Sequence, residues 1–192
     1  MASMIIAIGA QNVFVLKQGL LKQAVFTVAF ICFLCDFLLT SAGVLGIGEI
    51  FSISPNVAKI LSLCGVIFLS YYGFCALLRA IKPTSLTITQ GKKSSYWKIV
   101  AQTLAVTLLN PHVYLDTMVI VGTVGAKLAA TQKWTFLFGC ISASFLWFFC
   151  LAYGARLLLP LFNRPITWRI LDGAIAIIMW AIALSLLLSV IK

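Results

Sequence analysis

Acidic residues are almost absent from this sequence. Its 192 residues include 4 Asp and Glu against 14 Lys and Arg, and charged residues together make up 9% of the chain. A soluble domain has about 25% charged residues, so this chain has too little polar surface to cover a soluble globule. Despite a net charge of +10, the composition excludes an ordinary soluble enzyme, a disordered chain and a nucleic-acid-binding module.

Residue patterns typical of metal sites are also scarce. The chain has one histidine, and its six cysteines all fall inside apolar stretches. Cys32 and Cys35 have the spacing of a metal or redox pair, but no second pair and no nearby histidine accompanies them. We interpret the cysteines as small packing residues within helices, and the sequence predicts neither a metal nor a cofactor.

Long apolar stretches are what the sequence contains instead. Hydrophobic residues make up 62% of the chain, and its mean hydropathy is +1.12. A helix needs about 20 apolar residues to cross a bilayer. The apolar stretches cover residues 1–16, 24–47, 57–78, 99–126, 136–159 and 170–191. Strands of a membrane barrel would be shorter and would alternate in polarity. We therefore predict an all-α, polytopic membrane protein with about six transmembrane helices, the first of them shortened.

The basic residues are divided unequally between the two sides of the predicted membrane. Ten fall in segments on one side and four in segments on the other. The ten are Lys17, Lys22, Arg79, Lys82, Lys92, Lys93, Lys98, Arg156, Arg164 and Arg169. Because cytoplasmic loops carry the excess of Lys and Arg, we predict that residues 79–98 form a cytoplasmic linker beside the lipid phosphates. With six spans, both termini would lie outside.

The linker divides the chain into two halves of three predicted spans each, residues 1–78 and 99–192. Residues 10–14 read Ala-Gln-Asn-Val-Phe and residues 110–114 read Asn-Pro-His-Val-Tyr, 100 positions later. Each is a polar cluster followed by Val and an aromatic residue in the first helix of its half. Since three is odd, the halves would insert in opposite orientations. Such inverted repeats with broken helices are typical of transporters, and we predict a 3+3 inverted repeat.

Two acidic residues are predicted to lie inside the membrane. Asp36 is near the centre of its apolar stretch, where a charged residue costs about 2.5–3.5 kcal/mol. Asp116 follows His112 by four residues, so the two would share one helical face. For Asp36 we predict a site for a cation or a proton; the alternative is a structural hydrogen bond to a neighbouring helix. Asp172 follows Arg169 by three residues, which predicts a local ion pair.

Pro111 predicts a break in the fourth apolar stretch, because proline lacks a backbone donor and clashes with the preceding turn. Carbonyl groups near residues 107 and 108 would lose their intrahelical partners. Such groups are tolerated at membrane depth only beside protein or a water-filled cavity, so we predict that Asn110, His112 and Asp116 border a cavity. Asn110 also suits an N-cap.

Gln11 and Asn12 form the corresponding pair in the first half. Their amides can donate to a carboxylate and accept from an ammonium group, which predicts a place in the same binding site. The alternative is a purely structural role, as hydrogen bonds between neighbouring helices.

These motifs resemble those of a known family. Residues 9–12, Gly-Ala-Gln-Asn, resemble the Gly-Pro-Gln-Asn signature that opens the LysE-type amino-acid exporters, and residues 110–117 resemble their second signature. Residues 141–149, Ile-Ser-Ala-Ser-Phe-Leu-Trp-Phe-Phe, are similar to the fifth span of the arginine-exporter branch. The resemblance covers essentially the whole chain. Ala10 stands where the family has proline, and the amino end is shorter than is usual for the family.

The resemblance implies a permease of the bacterial inner membrane that expels arginine, and also lysine, using the proton gradient. Its partners would be the basic amino acid, protons and lipids, with no nucleic acid; a homo-oligomer is compatible with the sequence. Asp36 and Asp116 suit the cationic side chain or the proton, and amides of Gln11, Asn12 and Asn110 suit the α-carboxylate.

Two other functions stay open for such a chain. One is a passive channel or a structural membrane subunit. The other is an intramembrane hydrolase with Asp36 and Asp116 as a catalytic dyad. The flanking residues Cys35 and Phe37, and Leu115 and Thr117, differ from the Tyr-Asp and Gly-x-Gly-Asp settings of intramembrane aspartyl proteases, so we predict a protein that is not an enzyme.

Overall fold

The structure is a computed structural model that describes residues 9–45, 55–81, 94–163 and 165–191. These residues are almost entirely helical and contain no strand. The elements are α1 (Ala10–Leu21), α2 (Val25–Val44), α3 (Pro55–Ile81), α4 (Tyr96–Leu108), α5 (Pro111–Tyr114), a π-helical segment (Leu115–Ile120), α6 (Val121–Ala126), α7 (Ala130–Gly154), a 3₁₀ segment (Ala155–Asn163) and α8 (Pro165–Ile191). Most of the predicted linker, and the first half of the first apolar stretch, lie outside the described residues.

Four stretches of helix within the described residues are long and apolar enough to cross a membrane. They are Val25–Val44, Ser62–Ile81, Ala130–Phe162 and Ile166–Leu188. They coincide with the second, third, fifth and sixth predicted spans, and the fourth predicted span is divided into shorter helices. The prediction of an all-helical, multi-pass membrane protein is thereby confirmed in this coarser form. The count of six spans and the inverted repeat stay predictions.

The surface of the bundle is apolar, as a protein in lipid requires. Large hydrophobic side chains are widely exposed on the spanning helices, among them Phe26, Ile67, Phe138 and Ile177. The interior is built from packed side chains of α1, α2, α3, α4, α7 and α8. Its largest fully buried members are Phe14, Phe148, Leu69, Ile175 and Met179. Because lipid is as apolar as these side chains, the helices associate through close packing and polar contacts more than through the hydrophobic effect.

The break predicted at Pro111 is present. Helix α4 ends at Leu108, α5 begins at Pro111, and the backbone N–H of Leu109 still bonds to the carbonyl of Ala105. The Tyr114 hydroxyl donates to the Leu108 carbonyl over 2.9 Å. A side chain from the turn after the break therefore satisfies one carbonyl of the turn before it, and the broken helix is held in one geometry. The π-helical segment, a distortion that is frequent at functional sites, follows directly.

Helix α2 and the segment after the break touch backbone to backbone. A Cβ atom added to Gly43 would lie 2.8 Å from Met118 Cα and 2.9 Å from the Thr117 carbonyl oxygen, and one added to Gly122 would lie 3.0 Å from the Gly43 carbonyl oxygen. Small residues permit this approach in membrane helices. The crossing sets the position of the π-helical segment relative to the middle of α2.

Gly43→Ala is expected to destabilise this crossing, because the atoms that the methyl group would meet are backbone atoms, which cannot rotate away. Overpacking of this kind costs about 1–3 kcal/mol, and we expect a lower thermal unfolding temperature of the purified protein in detergent. Gly139→Ala is the matched control, since a Cβ atom there would meet nothing within 4 Å. Equal unfolding temperatures for the two variants would contradict the close crossing.

Candidate functional site

Asp36 lies inside the bundle on α2, and its side chain is almost completely buried, with 5% of the residue exposed. The Ser144 hydroxyl, from the middle of α7, donates to Asp36 Oδ2 over 2.8 Å. This is the interhelical hydrogen bond of the alternative interpretation. An ionised carboxylate can accept about four hydrogen bonds, and Ser144 is the one donor found for it among the described residues. Asp36 is thus a buried acid whose capacity to accept hydrogen bonds is only partly used.

Asp116 lies in the π-helical segment that packs against α2, and its charge is close enough to act on that of Asp36. The structure places the half-buried Asp116 near the buried Asp36, and a shared site for the two acids stays a prediction. The two come from different halves of the chain. The nearby charge of half-buried Asp116 adds to the cost of an ionised carboxylate at Asp36, and a cation or a proton beside the two acids lowers that cost.

Two buried polar atoms flank Asp36 along α2. Thr40 lies one turn after Asp36, and its hydroxyl oxygen has no hydrogen-bond partner among the described residues. The Gln11 side chain reaches the thiol of Cys32, one turn before Asp36; a thiol is a weak acceptor, so the amide nitrogen retains capacity for a stronger partner. A buried polar group without a partner costs about 1–3 kcal/mol. Both atoms are therefore available to a polar ligand beside Asp36.

The start of α1 brings Gln11 and Asn12 to the same region. Gly9 adopts an extended conformation before the helix, and no described side chain caps it. The Trp147 indole N–H donates to Asn12 Oδ1 over 3.1 Å, which joins α1 to α7. The first backbone N–H groups of a helix have no intrahelical partner and carry a partial positive charge. This helix start suits a carboxylate.

Asn110 is buried in the break between α4 and α5, with 7% exposure, and its carbonyl accepts from the Val113 N–H over 3.1 Å. Asn110 also makes a further interaction within the protein. Pro111 is the first residue of α5. Proline suits this position, because the backbone N–H that it lacks would have no intrahelical partner there. His112 is the second, and its side chain lies outside the described part of the structure.

Sequence reasoning assigned no site role to Ser144, Trp147 or Thr107, although the first two lie in the motif of residues 141–149. Thr107 is fully buried, and its hydroxyl lies 3.9 Å from the Cys32 sulfur, which connects α4 with α2. Ser144 had a detectable signal, because a serine in the middle of an apolar stretch needs a hydrogen-bond partner in the membrane. Trp147 and Thr107 gave no comparable signal.

The predicted pairing of Asp172 with Arg169 is wrong. Asp172 Oδ1 accepts from Lys17 Nζ over 2.5 Å and from Arg79 Nε over 3.3 Å. Arg169 instead donates to the carbonyls of Ala80 and Ile81 at the end of α3. The last carbonyls of a helix lack intrahelical partners and attract cations, so the end of α3 binds Arg169. The sequence shows only neighbours on the same helix, whereas the partners of Asp172, Lys17 and Arg79, lie on α1 and α3.

Comparison with known proteins gives a consistent result. Residues 2–190 match the family model of the LysE type translocators. The arginine exporter proteins ArgO of Salmonella typhi and Salmonella typhimurium are each 43% identical to this chain over 186 residues, which covers 96% of this chain and 88% of theirs. No solved structure matches the chain.

Proposed function

This chain belongs to the LysE type translocator family, and we propose that it exports arginine, and also lysine, across the bacterial inner membrane in exchange for protons. Its relatives are transporters, so the chain is a transporter and not an enzyme, and the alternative of an aspartyl hydrolase is set aside. Similarity to the Salmonella arginine exporters over nearly the full length supports arginine as the substrate.

One observation carries the proposed site. Asp36 of α2 is buried against α7 and receives one hydroxyl donor. It lies between the Thr40 hydroxyl, which has no partner among the described residues, and the Gln11 amide, which reaches only the Cys32 thiol. A buried acid in a membrane protein is costly unless it is paired. A guanidinium or ammonium group bound to Asp36 supplies that pair, and the two flanking groups complete its polar surroundings.

The α-carboxylate of the substrate requires a second, positively polarised surface. The start of α1, where the first backbone N–H groups of a helix have no intrahelical partner, supplies one together with the side chains of Gln11 and Asn12. The break at Asn110 and Pro111 places a second helix start in the other half. In transporters built from broken helices, such helix starts bind the anionic groups of the substrate.

Proton exchange follows from the burial of Asp36, to which the nearby charge of Asp116 adds. When the substrate leaves, a proton can take its place, because a buried carboxylate stays ionised only at a cost. Since the same carboxylates bind either the proton or the cationic substrate, one can leave only when the other arrives. Export of one cation is thereby coupled to import of another.

The packing supports an inverted repeat of two halves, residues 1–78 and 99–192, and we propose that these halves move relative to each other during transport. Helix α1 crosses α7 where a Cβ atom on Gly19 would lie 2.3 Å from the Ala152 carbonyl oxygen. Helix α6 crosses α2 in the same backbone-to-backbone manner at Gly122 and Gly43. In both crossings the first helix of one half meets the middle helix of the other, as an inverted repeat requires.

The topology also gains support from one end of the bundle. Lys17, Arg79 and Arg169 all belong to the side with the charge excess, and their contacts with Asp172 and with the end of α3 bring them together. We propose that this end, with the linker 79–98, faces the cytoplasm, and that the Asp36 region lies deeper in the membrane.

Inside-out membrane vesicles test this function. With an acidic interior, vesicles containing the chain are expected to accumulate labelled arginine above its external concentration, because proton exit drives substrate entry. Vesicles without the chain, and vesicles given a protonophore, are the controls. Equilibration without accumulation would instead indicate the passive channel. In cells, export is expected to confer tolerance to canavanine, a toxic arginine analogue, and sensitivity equal to that of cells lacking the chain would contradict the assignment.

A further inference from the structure

A second group of charged residues lies apart from the Asp36 region. Asp172 of α8 is 5% exposed, and its Oδ1 atom accepts from Lys17 of α1 and from Arg79 of α3. These three residues, which we call the Asp172 cluster, join helices from both halves of the chain. The proposed transport cycle uses none of them.

Asp172 is unusual for its location. The sequence contains four acidic residues, Asp36, Glu49, Asp116 and Asp172. In the proposed topology Asp172 alone lies on the cytoplasmic side, among ten basic residues. For a cationic amino acid in the cytoplasm, Asp172 is therefore the one acidic partner on that side of the membrane, and half-exposed Arg79 lies against it.

The two cations that bind Asp172 differ in how easily they can leave. The Lys17 amine contacts the carboxylate at 2.5 Å and its side chain is 8% exposed, whereas Arg79 reaches it through Nε at 3.3 Å with 43% of its side chain exposed. An ion pair with a partly exposed partner contributes little free energy. Arg79 also lies near the end of α3 at Ile81, where its side chain can turn to water. Arg79 is therefore the exchangeable partner.

Exchange at this position preserves both charge and packing. If a guanidinium or ammonium group from the cytoplasm replaces that of Arg79, one cation substitutes for another and the buried charge of the cluster is unchanged. The end of α3 stays attached to α8, because Arg169 binds the Ala80 and Ile81 carbonyls independently of Arg79. Replacement thus needs a side-chain rotation and no helix movement.

We propose that Asp172 is a cytoplasmic loading site at which the cationic side chain of the substrate displaces Arg79 before the substrate moves to Asp36. This inference rests on the proposed function. Lys17 remains bound during the exchange and neutralises Asp172 when no substrate is present. Arg79 competes with the substrate, and it sets the concentration at which the site loads.

The test measures arginine transport into inside-out vesicles as a function of arginine concentration. Arg79→Gln removes the competitor and leaves the Lys17–Asp172 pair intact, so KM is expected to fall about two- to fivefold, the change that corresponds to a partly exposed ion pair. Arg169→Gln is the matched control: it loses contacts at the end of α3, and its KM is expected to equal that of the unmodified protein. Citrulline, the neutral counterpart of arginine, is expected not to compete in any of them.

A second variant removes the acid without leaving a buried charge. Lys17→Met/Asp172→Asn keeps the volume of the pair, and its KM for arginine is expected to rise while the maximal rate changes less. An unchanged or raised KM in Arg79→Gln, or an unchanged KM in the double variant, would overturn the loading site while transport by the unmodified protein still supports the exporter. Absence of transport by the unmodified protein would instead reject the exporter itself.

Discussion

Asp36→Asn is expected to reduce the rate of proton-driven arginine export about 100-fold. The asparagine oxygen can still accept the hydrogen bond from Ser144, so the local geometry is retained and the negative charge is removed. A hydrogen bond to a charged group contributes up to about 3 kcal/mol, which corresponds to about two powers of ten in affinity. Transport of labelled arginine into inside-out vesicles, normalised to the amount of protein in the membrane, measures the change.

Ser144→Ala is the control for this variant. It removes the hydroxyl donor but keeps the carboxylate, so the substrate cation retains its main partner. We expect a loss of about tenfold or less, because one hydrogen bond to a charged group contributes about 1.5–3 kcal/mol and the substrate can replace part of it. If Asp36→Asn exports arginine as fast as the unmodified protein, Asp36 is a structural residue and the proposed site is wrong.

Asp172→Asn is expected to cause a large loss of stability. It leaves the Lys17 ammonium group, 6% exposed as a residue, without the anion that binds it. Removal of one partner of a buried ion pair costs about 3–5 kcal/mol. For a protein of this size that corresponds to a fall of roughly 10 °C in the unfolding temperature, which thermal denaturation in detergent measures.

The double variant Lys17→Met/Asp172→Asn separates the charge from the packing. It removes both members of the pair, so no buried charge is left alone, and replacement of a buried pair by neutral residues is often neutral or stabilising. We expect it to recover most of the lost unfolding temperature. Equal destabilisation in the single and double variants would show that the contact contributes through side-chain packing.

In the candidate site, the sequence predicted the costly residues but not their partners. Asp36 and Asp116 were identified because an acid in an apolar stretch is costly, and this cost depends only on the local chain and the bilayer. The break at Pro111 was predictable for the same reason, since proline acts on its own helix. The partner of Asp36 was not predictable, because Ser144 is 108 residues away along the chain.

The error at Asp172 has the same origin. Arg169 is its neighbour on one helix, but Lys17, 155 residues away in sequence, is its partner in the protein. Arg169 has a stronger alternative in the free carbonyls at the end of α3. The packing of three helices decides which cation binds Asp172. The pattern of residues along one helix carries no information about that packing.

The sequence by itself determined that this protein lies in a lipid bilayer, and it determined which residues are energetically costly there. Scarce charge and long apolar stretches require a helical membrane protein, and a proline within one stretch requires a broken helix. Only the tertiary structure decided which helices approach closely, at Gly43 and Gly122 among others. The reason is physical: lipid selects apolar helices without regard to their partners, whereas the pairing of buried polar groups depends on contacts between helices that are distant in sequence.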